Sequence, residues 1–215
     1  MRHAAPNLRR LSAATLSLAA ALCWSTVAHA QTASGSAKVV QATLLGSTTV
    51  LSDTGALADS SDAREASLLE GTVPSLLAGE VLHAASIGWS DQAYSEASLG
   101  TLGMMVAGNG ILADFIMSRA LAVTGASPLG AAQIDGLVIN GLPVAVSGAP
   151  NQTIPLFGGR LILNEQQASS TGIVVNALHV IVDGIADVVI ASSAADMPAS
   201  GSTSPLPPLP LSPSL

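Results

Sequence analysis

The stretch 172–192, GIVVNALHVIVDGIADVVIAS, decides the fold. Two runs of Val, Ile, Leu and Ala flank Asp183-Gly184, a dipeptide suited to a tight reversal. β-Branched residues at this density favour strands, so the stretch predicts a hairpin. Both runs are apolar on both faces and are expected at the centre of a sheet or between layers. Upstream, LVINGLPVAV (137–146) repeats the pattern around Asn140-Gly141, and PNQTIPLFGGRLILNEQ (150–166) carries Gly158-Gly159. Pro143 confines its strand to an edge or an early position, because proline lacks the amide a ladder needs. Residues 137–194 therefore read as a β-meander and the core of the domain.

Earlier in the chain, KVVQATLLGSTTVL (38–51) reads as two short strands around Gly46, ending in the turn Ser52-Asp53-Thr54-Gly55. The acidic, Ala/Ser-rich segment 56–71 reads as a loop or a short helix, and EVLHAASIG (80–88) as strand-like. In ILADFIMSRALAVTG (111–125), Ile111, Phe115, Ser118 and Ala122 fit a helical stripe, while the alternation expected of a strand is poor. From Pro198 onward the composition shifts to PASGSTSPLPPLPLSPSL, which cannot build a core and is expected to be an extended, disordered tail.

The first thirty residues form a separate object. Arg2, Arg9 and Arg10 precede the apolar run LSAATLSLAAAL, and Ala28-His29-Ala30 supplies small residues before Gln31. This is the pattern of a secretory signal peptide cleaved between Ala30 and Gln31, with a run too short to remain as a membrane span. Arg9-Arg10 hints at twin-arginine export, but Leu8 and Ser12 depart from that signal's flanks; Leu22 before Cys23 departs from lipoprotein processing. Cleavage would remove Cys23, the one cysteine, so the mature chain would hold no disulfide and no thiolate ligand. It would leave Lys38, Arg64, Arg119 and Arg160 against fourteen acidic side chains, a formal charge of −10. Such a chain is repelled by nucleic acid and by anionic lipid. With 49% hydrophobic, 10% charged and 2% aromatic residues and 20 glycines, what remains suits closely packed strands in one domain.

Particular blocks resemble the bacterial choice-of-anchor P family: Val138-Ile139-Asn140-Gly141, Pro150-Asn151-Gln152-Thr153-Ile154, Leu163-Asn164-Glu165-Gln166, Val175-Asn176-Ala177-Leu178-His179-Val180 and Asp187-Val188-Val189-Ile190-Ala191. Weaker similarity runs back through Gly110-Ile111-Leu112-Ala113-Asp114 to Ser52-Asp53-Thr54-Gly55. The resemblance implies an exported β-rich protein of unassigned function and favours strand over helix for 111–125. The family's name reflects variable C-terminal anchors. Here the tail shows no sorting motif, terminal hydrophobic helix or basic stop-transfer cluster, which implies a soluble periplasmic or released product.

Candidate sites are few. Asp53-Thr54-Gly55 matches the setting of an aspartic peptidase carboxylate, which would need a dimer to supply its second acid; the competing reading is a turn whose Asp accepts backbone amides. His83 and His179 are the histidines after residue 30. His179 sits mid-strand, opposite in phase to Asn176, and reads as a structural histidine bonded across the sheet. Neither spacing fits zinc. Asn164-Glu165-Gln166 could bind a ligand or satisfy backbone at a strand end. Asp53, Asp59, Asp62 and Glu65 could collect calcium, but no Asp-x-Asp-x-Asp-Gly loop accompanies them. A carbohydrate-binding module would use Trp89 and Tyr94 as stacking faces.

The expectation is an all-β, antiparallel sandwich-like domain over 36–196, with 31–35 as linker and 197–215 as tail; a β-solenoid is the alternative. The expected role is non-enzymatic, structural or interacting, in the envelope or matrix, without cofactor. Its partner would be an envelope or matrix component or a second copy. The alternatives are a carbohydrate- or ligand-binding module and a dimeric aspartic peptidase using Asp53.

Overall fold

Two-residue turns set the registers of this chain. Leu45-Gly46, Ala107-Gly108 and Asn140-Gly141 all take positive φ at both positions (48° and 84°, 48° and 81°, 51° and 79°). That geometry matches the twist of the flanking strands. The computed structural model describes residues 32–198. The expected leader and cleavage site, and the tail from Ala199, lie outside the described residues. What is described is all-β, without helix.

The chain begins in one sheet with β1 (Ser34–Leu44) and β2 (Ser47–Asp53). It then crosses to a second sheet, made by β3 (Ala63–Val73), β4 (Leu77–Gly88), β5 (Gln92–Leu99), β6 (Leu102–Val106), β7 (Asn109–Ala113), β8 (Phe115–Val123), β9 (Leu129–Asp135), β10 (Val138–Ile139) and β11 (Leu142–Pro143). It returns to the first sheet with β12 (Gln152–Leu156), β13 (Gly159–Ala168), β14 (Gly172–Val182) and β15 (Ala186–Asp196). The first sheet has the order β12-β13-β14-β15-β1-β2. Within this open sheet the first and last strands pair, from Ser34↔Asp196 to Leu44↔Ala186. In the second sheet β5 and β6 pair with successive parts of β4, and β8 and β7 continue them outward.

Every pairing is antiparallel, and all but β1 with β15 join strands close in sequence. The β-solenoid alternative is thereby set aside, since stacked coils pair parallel strands. One further expectation changes, and an ambiguous one resolves to the strand that the resemblance favoured. Half of the segment expected as loop or short helix is β3, held by its ladder to β4. The ambiguous segment 111–125 is strand on both sides of Asp114, whose amide bonds Asp135 O at 2.9 Å. Pro143 lies on the edge strand β11, as its missing amide requires. β14 and β15 lie in the interior of their sheet, with one face turned to the core and the other carrying polar groups.

The first sheet breaks its side-chain alternation along one level. Glu165 pairs with Asn176 and Leu163 with Leu178, leaving Asn164 and Ala177 between the rungs. The same happens to Ala177 with Ala191, Ala191 with Val39, and Val39 with Ser52. On alternate strands the residue at this level is left-handed: Asn164 (φ 51°), Ala191 (φ 53°) and Ser52 (φ 48°). Two successive side chains then face inward, so Val39 and Val40, Ala177 and Leu178, and Ile190 and Ala191 are all buried. Beyond that level each strand's inward phase has shifted by one residue.

Between the sheets lie two apolar clusters. The larger is built from Leu82, Leu99, Ile116, Leu163, Leu178, Ile190 and their neighbours. Each such side chain contributes about 1.5–3 kcal/mol on burial. The smaller is mostly alanine (Ala33, Ala93, Ala120, Ala122, Ala195) with Ile173, Val175 and Met197. Fully buried serines also occupy the interior. Ser86 Oγ lies 2.9 Å from Ser95 Oγ, and Ser118 Oγ lies 2.6 Å from Ser193 Oγ across the two sheets. Close approach is what these small residues allow: a Cβ on Gly35 would meet Ser95 Oγ at 2.9 Å, and one on Gly130 would meet Val175 Cγ2 at 2.5 Å.

Candidate functional site

The outer face of the first sheet holds the most connected polar cluster. Asn176 Nδ2 donates to Glu165 Oε2 at 2.7 Å, and His179 Nδ1 lies 2.8 Å from the same oxygen. On the other side of the ring, His179 Nε2 lies 3.0 Å from Asp187 Oδ1. Strict alternation would send Asn176 and His179 to opposite faces, which was the expectation. The break at Ala177 brings them together, so that expectation is corrected. Carboxylates hold the ring at both nitrogens, leaving neither for a metal or a nucleophilic hydroxyl. Chemically, the arrangement fixes an imidazole on a flat face and ties β13, β14 and β15 side by side.

Clefts flank this cluster on the same sheet. One of about 400 Å³ runs over Ser36, Gln167, Val174, Ala194 and Asp196. Another of about 310 Å³ lies at the opposite end over Thr43, Ile181, Asp183 and Asp187. Both are shallow and open.

On the outer face of the second sheet, His83 meets Ser67 and Glu65. Ser67 Oγ is 3.0 Å from His83 Nδ1, and Glu65 Oε1 is 3.6 Å from the same nitrogen. A serine–histidine–acid relay needs hydroxyl and acid on opposite ring nitrogens, and here they share one. Beside it, Tyr94 Oη and Arg119 Nε each donate to Glu96 Oε2 at 2.7 Å. Burial, then the Glu96 carboxylate, pushes the Tyr94 hydroxyl up to about 12. Burial also works against the Glu96 charge, but the bonds from Tyr94 and Arg119 outweigh it and hold that carboxyl below its ordinary value.

The remaining candidates are scattered. Asp53 is exposed at the end of β2, where its Oδ1 accepts the Gly55 amide at 2.8 Å. Thr54 beside it is buried and accepts the Ala37 amide at 3.0 Å. Asp59 Oδ1 accepts the hydroxyl and amide of Ser61, and these bonds lower its pKa. Asp62 Oδ2 accepts the Ala58 amide and Arg64 Nε, and its pKa is lowered likewise. Among the described residues no three of His, Cys, Asp and Glu are placed to hold a metal. Asn164 Nδ2 donates to Gly148 O and Gln166 Nε2 to Gly130 O, so these two amides bind neighbouring segments to β13. Glu165 alone of that trio joins the histidine cluster. Trp89 is 40% exposed, and Tyr94 is half-buried at the same end of the second sheet.

Sequence reasoning missed the partnerships of Glu165, His179 and Asp187. The observed hairpin has a three-residue loop, Asp183-Gly184-Ile185, which pairs Ile181 with Asp187 and His179 with Val189 and so makes His179 and Asp187 diagonal neighbours. A two-residue reversal at Asp183-Gly184 would have paired Val180 with Asp187 and hidden the contact. Compared with family models, curated proteins and solved structures, the chain matches none.

A further feature concerns the sheet edges. β12 carries Pro155, and β11 is two residues long and ends in Pro143, both features that blunt an edge. β3 is different: eleven residues, paired on one side to β4 and to no other strand among the described residues. Leu68, Leu69 and Val81 of this β3–β4 ribbon are 41%, 78% and 60% exposed.

Proposed function

We propose that the chain is an exported, non-enzymatic structural or interaction protein of a bacterial envelope or extracellular matrix, related to the choice-of-anchor P proteins that its closing third resembles. The observation that carries this reading is the open β3 edge. An edge strand of this length, with exposed leucines and free backbone donors and acceptors, is a template for pairing with another strand. Arg64, Glu65 and Glu70 on the same strand favour a selective partner over indiscriminate stacking. The signal-peptide pattern at 1–30 supports export, and the acidic balance supports a partner other than nucleic acid.

The test combines fractionation of producing cells with intact mass and sizing of the purified chain. The expected product starts at Gln31, is found in periplasm or medium, and associates with increasing concentration. Leu69→Lys should abolish that association while leaving the fold intact. An uncleaved cytoplasmic product, or association indifferent to Leu69→Lys, defeats the reading.

A further inference from the structure

The hairpins β12–β13, β14–β15 and β1–β2 of the first sheet close on one rung. That rung runs Leu156–Gly159–Val182–Ala186–Leu44–Ser47 across the whole sheet. The turns Phe157-Gly158, Asp183-Gly184-Ile185 and Leu45-Gly46 therefore stand at one height and form a ridge along the end of the sheet. Adjacent turns lie two strand spacings apart, ~10 Å, so the ridge is ~20 Å long. Backbone bonds join the turns to one another: Asp183 N donates to Gly158 O at 3.1 Å, and Leu45 N to Ile185 O at 2.9 Å. From the second sheet, the buried Asn109 side chain holds both the amide and the carbonyl of Phe157, each at 3.0 Å.

What this held ridge presents is apolar. Phe157 is 81%, Leu45 77% and Ile185 43% exposed. Leu45 also has φ 48°, a conformation that suits Asn or Gly better than leucine. Its exposure and its backbone both work against the stability of the domain alone, and such a residue points to a function. The opposite end of the same sheet differs. It carries the polar turn Ser169-Ser170-Thr171 beside the rung Gly172–Asp196–Ser34.

We propose that the ridge is a membrane-contact site, inserting Phe157, Ile185 and Leu45 shallowly into a lipid surface of zwitterionic headgroups. Three such side chains bury on the order of 400 Å², half of the ~800 Å² per partner that a stable protein interface needs. A lipid surface sets no such threshold, because each apolar side chain that enters it contributes separately. Shape agrees: turn tips are convex and offer a protein partner no pocket, whereas headgroups part around them. The next rung back places Arg160 and Asp187, both exposed, on either side of Ile181. A cation and an anion ~3.4 Å behind the tips suit headgroups that carry both charges. Asp183 in the central turn adds a second anion. With the formal charge of −10 from Gln31 onward, it turns the site away from anionic lipid. The ridge is separate from the β3 edge, which belongs to the other sheet.

The test is co-sedimentation of the chain from Gln31 to Leu215, in low salt, with vesicles of phosphatidylcholine alone and of phosphatidylglycerol alone. Partitioning onto phosphatidylcholine is expected, and at least about tenfold weaker partitioning onto phosphatidylglycerol. The double variant Leu45→Asn, Phe157→Ser should lower the phosphatidylcholine partition coefficient about tenfold or more. Leu45→Asn alone relieves the turn, so it should raise the melting temperature while still weakening binding severalfold. Leu69→Lys, on β3, should partition like the parent. A parent that ignores phosphatidylcholine, or prefers phosphatidylglycerol, overturns the proposal, as does a double variant that binds like the parent. Loss of vesicle-free self-association in the double variant also overturns it, because the ridge would then belong to a second copy.

Discussion

Asn176 and His179 share one acceptor, Glu165 Oε2, although they stand three positions apart on a single strand. A regular strand forbids this, because odd separations face opposite ways. Ala177 drops out of the ladder together with Ala191 and Asn164, and at the last two the backbone is left-handed, so the side-chain phase shifts there while the register stays one-to-one. The polar cluster on the first sheet is therefore a consequence of a backbone device that spans five strands.

Glu165→Ala removes the acceptor of both neighbours. The Glu165 and His179 side chains are 15% and 13% exposed, so water replaces the lost bonds poorly. A loss of about 1–3 kcal/mol is expected in urea unfolding. His179→Ala should cost a similar amount, and the double variant less than the sum, because each single variant strands the other's partner. Additive losses would show that the contact contributes nothing of its own.

Ser52 is the corresponding weak point of the same level. It holds φ 48°, is buried, and is the one described residue with a buried side-chain polar atom that lacks a hydrogen-bond partner. Glycine accepts that backbone without a Cβ penalty and carries no hydroxyl. Ser52→Gly is expected to raise stability by about 1 kcal/mol after its entropic cost, read as a higher melting temperature. A lower melting temperature would mean that the hydroxyl has a role the geometry does not reveal.

The parts of this fold that sequence discloses are the local ones. Asn140-Gly141 announces its turn because both residues accept positive φ, and Asp183-Gly184 does so through Gly184, the one residue of that pair with positive φ. Ala107-Gly108 does so less clearly, since alanine avoids the conformation it adopts there. β3 was illegible because AREASLLEGTV has an outer edge and no regular apolar period; β4 makes it a strand. The pairing of β1 with β15 joins opposite ends of the domain and leaves no mark on either segment alone. The histidine cluster was hidden for the same reason. Its phase shift at Ala177 is set by Ala191 and Asn164, on other strands.

Ser118 and Ser193 link the two sheets through fully buried hydroxyls 2.6 Å apart, and Ser193 Oγ also donates to Ser118 O at 3.2 Å. Ser193→Ala leaves the Ser118 hydroxyl without its partner in a dry interior and should cost about 1–3 kcal/mol. Replacing both by alanine should cost less than the two single changes together, since no orphan group remains. A double variant as damaged as the sum would assign the serines a packing role only.

Tyr94 is the one tyrosine of the sequence, so its ionisation can be followed by ultraviolet absorbance without interference. Burial, and then the hydrogen bond to the Glu96 carboxylate, predict a midpoint of about 12 in place of 10.0. A raised folded value means that the stability contributed by the neutral phenol is fully present below 10.0 and disappears as pH rises through about 12. Glu96 acts in the opposite direction. Its lowered value makes its contribution complete above the ordinary 4.5, and that contribution is lost as pH falls through the folded value. Glu96→Gln should therefore pull the Tyr94 midpoint down, though not fully to 10.0, because burial remains. The same variant should flatten the acid limb of the stability curve. A native midpoint at the ordinary tyrosine value, with circular dichroism showing the sheets intact, would dismantle this account of the Tyr94–Glu96–Arg119 contact.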